Sequence, residues 1–424
     1  MSAIWAARTA LYIARCGPQA WTPDYLCSRL TPNVSVPSCP SSTASSLQCP
    51  SPASSLQCPS PASSLQCPSP ASQEKEKRQS ATSNRDDLKI VESCKRFRRF
   101  IADPALIDSV VRCLAPWGSG RTPIIMDCNP GPGLLTQALL EAGHKVFALE
   151  SNLDFLPRLQ TLQRKANGQL KVLHCDFFRI DPWSEGIVQP PSMYSTTLMR
   201  TLNITEVPWA SDVPLKVFLM FGHKNERVLL WRQIYCLYQR LNVYRFGRIE
   251  LNVFLTETEY LKLISRPGDF MKYRALGVLF QVACHIELLH REPMSSFLTP
   301  SRFKGAAATK SGGFADNTLC LVRITPRRNL FSENFTPAEG NIFVYMIKQF
   351  MTRRKSKLIE KLDNLAPGSG EDLLRSLALP TDIATGCIHP EEYKLLFETL
   401  LRSEEFNRSF VLDEICEKIA ATSY

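Results

Sequence analysis

The chain has 424 residues, 44% of them hydrophobic, and a formal net charge of +10. This length leaves room for two domains, and the hydrophobic content is ordinary for a globular protein with a sizeable core. No run of about 18 apolar residues occurs, so the sequence predicts no membrane span. The positive charge favours acidic partners, of which nucleic acid is the commonest.

The first 30 residues combine spaced arginines with Ala, Leu, Ile and Trp. Arg8, Arg15 and Arg29 are accompanied by one acid, Asp24. This pattern is typical of a mitochondrial transit peptide, whereas a secretory signal would have a longer uninterrupted apolar centre. We therefore predict a transit peptide and leader over residues 1–44. The net positive charge also suits many proteins of the mitochondrial matrix.

A nine-residue unit, SSLQCPSPA, then occurs three times between Ser45 and Ala71. A Ser/Pro-rich segment of this kind buries too little apolar surface to offset the entropy of ordering. We expect residues 45–94 to form a disordered repeat followed by a charged linker.

The 15 cysteines do not form a recognisable framework. Cys49, Cys58 and Cys67 belong to the repeat, and others, such as Cys128 and Cys175, stand singly within apolar runs. No C-x-x-C pair occurs, which removes the strongest zinc signature. The sequence therefore predicts buried, reduced thiols and no metal site.

A basic arm precedes the first predicted helix. Its cations are Lys95, Arg96, Arg98 and Arg99, and they are interleaved with Phe97 and Phe100. One interpretation is a solvated arm that packs on the fold. The other is an arm that contacts phosphates while its aromatic rings pack or stack.

Strand-like and helical patterns alternate after this arm. Asp103-Pro104 is a helix start, with an N-cap residue followed by proline at the first helical position. Predicted strands cover 124–127, 145–150, 170–176, 213–220, 249–255, 283–289 and 319–324. Predicted helices cover 105–114, 134–142, 153–165, 226–238, 337–350 and 391–401. The alternation indicates an α/β fold over residues 95–326 with a mostly parallel sheet covered on both faces, and a small all-α domain over 327–424.

A glycine turn connects the first predicted strand to the next helix. The segment Asn129–Thr136 reads NPGPGLLT, and Glu150 ends the following strand, where it can accept hydrogen bonds from ribose hydroxyls. Asp127 precedes the turn, and Asp176 ends the third strand beside the same crevice, where it could meet an adenine amino group. Thr136 breaks the G-x-G-x-x-G pattern of nicotinamide sites, and the acids before the turn and after the second and third strands fit S-adenosylmethionine better. A purely structural turn is the alternative.

With these features the sequence resembles the rRNA adenine dimethyltransferases. Similar segments follow in family order: the arm from Lys95 to Asp103, the glycine turn, PMSSF at 293–297, VRITPR at 322–327 and FMTRRK at 350–355. The resemblance covers about residues 95–361. It implies a Rossmann-like S-adenosylmethionine-dependent methyltransferase domain with a helical C-terminal domain. It also implies cofactor contacts from Ile101, Asn129, Gly131, Gly133, Glu150 and Asp176.

Further segments resemble a mitochondrial branch of this family, namely residues 128–143, 174–178, 246–250 and 328–331. This likeness implies a nucleoid protein that joins mitochondrial RNA polymerase at promoters, together with the mitochondrial HMG-box transcription factor, melts the DNA and holds the non-template strand. The small-subunit rRNA is the other candidate partner. We expect the nucleic acid to contact Lys95, Arg96, Arg98, Arg99, Arg353, Arg354 and Lys355.

The sequence departs from the family where the target base would be held. Active members carry Asn-Leu-Pro-Tyr after the fourth strand, and here the segment is Met220-Phe221-Gly222-His223. A thioether cannot orient the adenine amine as an amide does. Arg98 and Arg99 stand near the place of the family's Gly-Gln-Asn.

Three functions remain open, and the segment Met220–His223 is the sequence feature that separates the first from the second. The first is a transcription initiation factor with weak or vestigial methylation, and the second is an active dimethyltransferase of adjacent adenosines in rRNA. The third is an assembly factor that binds rRNA without methylating it.

Overall fold

The computed structural model describes residues 89–92, 94–95, 97–115, 124–182, 187–221, 226–300, 317–409, 412–415 and 417. The predicted transit peptide and Ser/Pro repeat lie outside the described residues, as do Arg96, Gly222 and His223. The charged linker is described only at its end.

The chain forms a seven-stranded sheet and a separate two-stranded one. The strands are β1 (Phe100–Ile101), β2 (Ile124–Cys128), β3 (Val146–Glu150), β4 (Leu170–His174), β5 (Leu215–Met220), β6 (Glu250–Thr256), β7 (Cys284–Pro293), β8 (Phe297–Leu298) and β9 (Thr318–Pro326). The large sheet has the order β4-β3-β2-β5-β6-β9-β7. Its first five strands are parallel. β9 pairs antiparallel with both β6 and β7, so β9 alone of these seven strands runs in the opposite direction, which confirms the mostly parallel sheet.

The helices of the described segments largely match the predicted ones. They are α1 (Pro104–Leu114), α2 (Leu134–Glu141), α3 (Leu156–Lys165), α4 (Ser195–Leu202), α5 (Glu226–Tyr238), α6 (Glu257–Leu263), α7 (Ala275–Ala283), α8 (Gly340–Phe350), α9 (Leu358–Asp363), α10 (Gly370–Ser376), α11 (Pro390–Arg402) and α12 (Glu404–Arg408). The Asp103 side chain accepts a hydrogen bond from the Ala105 amide, so the predicted N-cap is confirmed. The sequence did not predict α4, α6 or α7.

The two faces of the large sheet have separate hydrophobic cores. Ile125 packs in a cluster with Leu106 and Val110 of α1, whereas its neighbour Met126 packs in a cluster on the opposite face. Successive side chains of a strand point to opposite faces, so both faces of a central strand must be apolar. This explains the continuous apolar run that precedes the glycine turn.

The segment after Pro326 is helical, as expected. Phe343 of α8 and Tyr393 of α11 are buried in the same hydrophobic cluster as Val217 of β5. The helical segment therefore shares one face of the sheet's core. The boundary at residue 326 stays a prediction.

The basic arm is held to the fold by the small sheet. Phe100 pairs with Leu298 and Ile101 with Phe297 in an antiparallel register. Phe100 and Ile101 are both buried. This pairing positions the arginines just before β1 beside the glycine turn.

The cysteines in the described ranges are all free thiols, and most of them are buried. None of the helices described is long and apolar enough to cross a bilayer. The described side chains also contain no group of three or more His, Cys, Asp or Glu that could hold a metal ion.

Candidate cofactor crevice and base-holding segment

The glycine turn lies between β2 and α2, at the carboxyl edge of the parallel strands. Asn129, Gly131 and Gly133 have φ angles of 58°, 64° and 84°, the left-handed region that glycine and asparagine tolerate best. A Cβ atom on Gly131 would lie 2.5 Å from the Phe100 ring. Gly131 is therefore required both for its backbone conformation and for the close approach of the arm.

The three strand-end acids have different environments. Asp127 is buried and accepts a 2.7 Å hydrogen bond from the Thr136 hydroxyl, and burial raises the pKa of Asp127 to about 7. Asp176 is half-buried and accepts a 3.0 Å hydrogen bond from the Phe178 amide. Asp127 thus ties β2 to α2, and Asp176 caps the turn that follows β4.

Glu150 is fully buried and its carboxylate has four hydrogen-bond donors. Oε1 accepts from Arg98 Nη1 at 2.8 Å and from the Asn152 amide at 2.7 Å. Oε2 accepts from Arg98 Nη2 and from the Gly131 amide, both at 2.9 Å. An ionised carboxylate offers about four lone-pair positions, so all of them are in use.

The Arg98 side chain is held by more than this carboxylate. Its Nη2 also donates to the Asn129 carbonyl at 2.7 Å. The guanidinium carbon lies 5.1 Å from the centre of the Phe100 ring and 5.4 Å from that of Phe155, within cation–π range. Only 13% of the Arg98 side chain is exposed. The arm arginine therefore fills the end of the crevice next to Glu150.

This arrangement decides whether the predicted cofactor fits. The two ribose hydroxyls of S-adenosylmethionine would need acceptor positions on Glu150, and Arg98 uses two of the four. The glycine turn and the acid are retained, but the crevice in this conformation does not accept the ribose. Arg98, rather than a residue of the turn, is what obstructs it.

The base-holding segment also receives an arginine from the arm. Arg99 is 6% exposed, and its Nη1 donates to the Phe221 carbonyl at 3.2 Å. Burial lowers the pKa of Arg99, and the nearby Glu226 carboxylate acts in the opposite direction. Burial raises the pKa of Glu226 to about 7, although it accepts hydrogen bonds from the amide and hydroxyl of Thr256. Sequence reasoning did not identify Glu226.

The remaining predicted nucleic-acid residues are on the surface. Lys95, Arg353 and Lys355 are exposed and Arg354 is half-buried. Arg98 and Arg99 point into the fold, so a phosphate could reach them only after they leave their present partners. Contact of all these residues with nucleic acid stays a prediction.

A second group of basic residues lies beside Arg354 and Lys355. Lys355 Nζ is 5.6 Å from the centre of the Phe270 ring. The pKa of Arg354 is lowered by burial and then by the like charge of Arg274. Within the described part of the chain no carboxylate pairs with Arg274, Arg354 or Lys355. We call Arg274, Arg353, Arg354 and Lys355 the basic surface. Arg274 was missed because it is far from 353–355 in sequence.

The sequence of this chain is similar to those of several known proteins. The sequence profile of the ribosomal RNA adenine dimethylase family matches residues 95–389. The chain is 40% identical over 324 residues to a human protein named mitochondrial dimethyladenosine transferase 2. The aligned region covers 76% of this chain and 82% of the human protein. The chain is 39% identical over 318 residues to the rat protein of that name, covering 74% and 80% of the two chains. It is also 37% identical over 211 residues to ribosomal RNA small subunit methyltransferase A of Caulobacter vibrioides, covering 49% and 67%. The chain therefore belongs to the ribosomal RNA adenine dimethylase family.

Proposed function

We propose that this chain is a mitochondrial transcription initiation factor. It would work with mitochondrial RNA polymerase and the mitochondrial HMG-box transcription factor in the matrix nucleoid, melt promoter DNA and hold the non-template strand. The names of the human and rat relatives support the mitochondrial location. The choice of promoter DNA rests on the resemblance of residues 128–143 and 246–250 to the mitochondrial branch.

One observation carries the proposal: the arm arginines fill both places that methyl transfer needs. S-adenosylmethionine is the cofactor of this family, and its ribose acceptor Glu150 is paired with Arg98. A carbonyl of the base-holding segment, that of Phe221, is bonded to Arg99. Met220 stands where an amide would orient the target amine. These features support a fold used to bind nucleic acid, with at most weak methylation.

The basic surface supports the binding role. Its cations are close enough that Arg274 disfavours the charge of Arg354. A phosphate placed between them would relieve this repulsion, and single-stranded nucleic acid presents phosphates in series. Met271 beside them is 78% exposed and could contact an unstacked base.

An active S-adenosylmethionine-dependent dimethyltransferase of adjacent adenosines in mitochondrial small-subunit rRNA is the second candidate. The retained Gly131 turn and Glu150 favour it, as do the names of the relatives. Binding of rRNA without methylation is the third.

Reconstituted transcription tests the proposal. Mitochondrial RNA polymerase and the HMG-box factor are assayed on a duplex promoter and on the same promoter with a pre-melted start site, with and without this chain. We expect strong stimulation on the duplex and little on the pre-melted template. Primer extension across the rRNA adenosines, after incubation with S-adenosylmethionine, tests the second candidate. No stimulation together with efficient dimethylation would replace the proposal with that candidate, and rRNA binding alone would favour the third.

A further inference from the structure

We infer that Arg98 is an internal competitor of the cofactor for Glu150. A guanidinium presents two parallel N–H groups to a carboxylate, and a ribose presents two neighbouring hydroxyls. Both groups therefore offer the same pair of donors to the same two oxygens. In this structure the guanidinium of Arg98 makes those bonds, at 2.8 and 2.9 Å.

The other bonds of Glu150 do not need to change when the cofactor enters. The amides of Gly131 and Asn152 are backbone donors fixed by the turn and by the start of the next helical segment. Only the Arg98 side chain has to leave, and it belongs to an arm held by the short pairing of Phe100 and Ile101. The crevice thus has one movable occupant at the ribose position.

Displacing Arg98 has a definite free-energy cost. The guanidinium gives up its bonds to Glu150 and Asn129 and its contacts with Phe100 and Phe155. The cofactor's apparent affinity is its intrinsic affinity multiplied by the fraction of molecules in which Arg98 has left Glu150, so a small fraction means weak binding. Arg98 therefore decides how tightly this family member holds its cofactor, independently of any role in transcription.

Isothermal titration with S-adenosylhomocysteine tests the inference on the full chain. Arg98→Gln removes the competitor and keeps a polar side chain. Arg164→Gln, at the exposed end of α3, is the control for loss of one positive charge. We expect Arg98→Gln to bind at least tenfold more tightly than the unmodified chain, Arg164→Gln to match it, and Glu150→Ala to lose binding. Equal or weaker binding by a folded Arg98→Gln protein would overturn the inference.

A second measurement needs no variant. In a crystal of the unmodified chain soaked with saturating S-adenosylhomocysteine, we expect the ribose hydroxyls on Glu150 and the Arg98 guanidinium displaced from it. A bound ribose with the Arg98–Glu150 pair intact would refute competition.

If Arg98→Gln does not fold, Arg98→Lys replaces it in the titration. Arg98→Lys should bind S-adenosylhomocysteine more tightly than the unmodified chain because an ammonium cannot make the paired bonds. Neither readout involves promoter DNA, so the transcription proposal can fail separately.

Discussion

The guanidinium of Arg98 donates two hydrogen bonds, of 2.8 and 2.9 Å, to the two carboxylate oxygens of Glu150. The sequence pattern predicts different ligands for these two residues, nucleic acid for Arg98 and the cofactor for Glu150. In the fold they are each other's partner. The basic arm and the cofactor crevice are therefore one structural unit, and a change in either affects the other.

The first prediction concerns the stability of this pair. We expect Arg98→Ala and Glu150→Ala each to lower the free energy of unfolding by about 3–5 kcal/mol, because each leaves a buried charge without its partner. The double variant should lose less than the sum of the two. Urea unfolding of the four proteins measures the coupling.

The exposed pair Arg375–Asp372, 2.7 Å apart with both side chains more than 70% exposed, is the matched control. Its coupling should stay below about 1 kcal/mol. Equal coupling free energies in the two pairs would contradict a stabilising effect of burying the Arg98–Glu150 pair.

The second prediction concerns the close approach at the glycine turn. Gly131→Ala should destabilise the protein more than Gly143→Ala, by at least about 1 kcal/mol. Both residues have positive φ angles, but a Cβ on Gly131 meets the Phe100 ring, whereas a Cβ on Gly143 meets nothing within 4 Å. Denaturant unfolding measures the difference. Similar losses would mean that Phe100 moves aside freely.

The third prediction concerns the basic surface. Replacing Arg274, Arg354 and Lys355 together by Gln should weaken binding of single-stranded DNA and flatten its salt dependence, by about 0.7 units of logarithmic slope per lost phosphate contact. Fluorescence anisotropy at several salt concentrations measures both effects.

The control for the basic surface removes three cations elsewhere, Arg164, Arg375 and Arg402, which are all exposed. It should leave most of the affinity and the slope unchanged. If the control variant bound single-stranded DNA as weakly as the test variant, net charge alone would explain the loss of affinity. Lys95→Gln tests the exposed cation of the arm in the same assay.

The fourth prediction concerns pH. The folded-state pKa of Glu226, about 7, lies above its ordinary value of 4.5, so the folded protein binds this proton more tightly than the unfolded chain does. The resulting stabilisation is full below about pH 4.5 and is lost as the pH rises to about 7. Between pH 5 and 8 the unmodified protein should lose more stability than Glu226→Gln, by roughly 2 kcal/mol. Asp127, whose pKa is shifted in the same direction, is present in both proteins, so their difference isolates Glu226. Parallel unfolding profiles would contradict the assignment.

Most of the fold could be read from local patterns. The strand that ends at Glu150 and the helix Glu226–Tyr238 were predicted within one residue, because apolar periodicity and the neighbouring turns mark their limits. The N-cap at Asp103 followed from the properties of a single residue. Helix α7 was missed because its near-continuous apolar run has no polar face, a pattern that a buried strand also shows.

By itself the sequence determined the α/β fold, the glycine turn and the acids at three strand ends, since each depends on residues close together in the chain. Only the tertiary structure decided what those groups contact. Arg98 is 52 residues from Glu150, and Arg99 is 122 residues from Phe221. Composition shows that an arm is basic, but whether its charges face solvent or a buried acid depends on where the chain brings them. The pairing of β1 with β8 places the arm over the crevice. The Arg98 side chain is buried there beside Glu150, and a buried charge needs a partner of opposite sign, so the two residues form an ion pair.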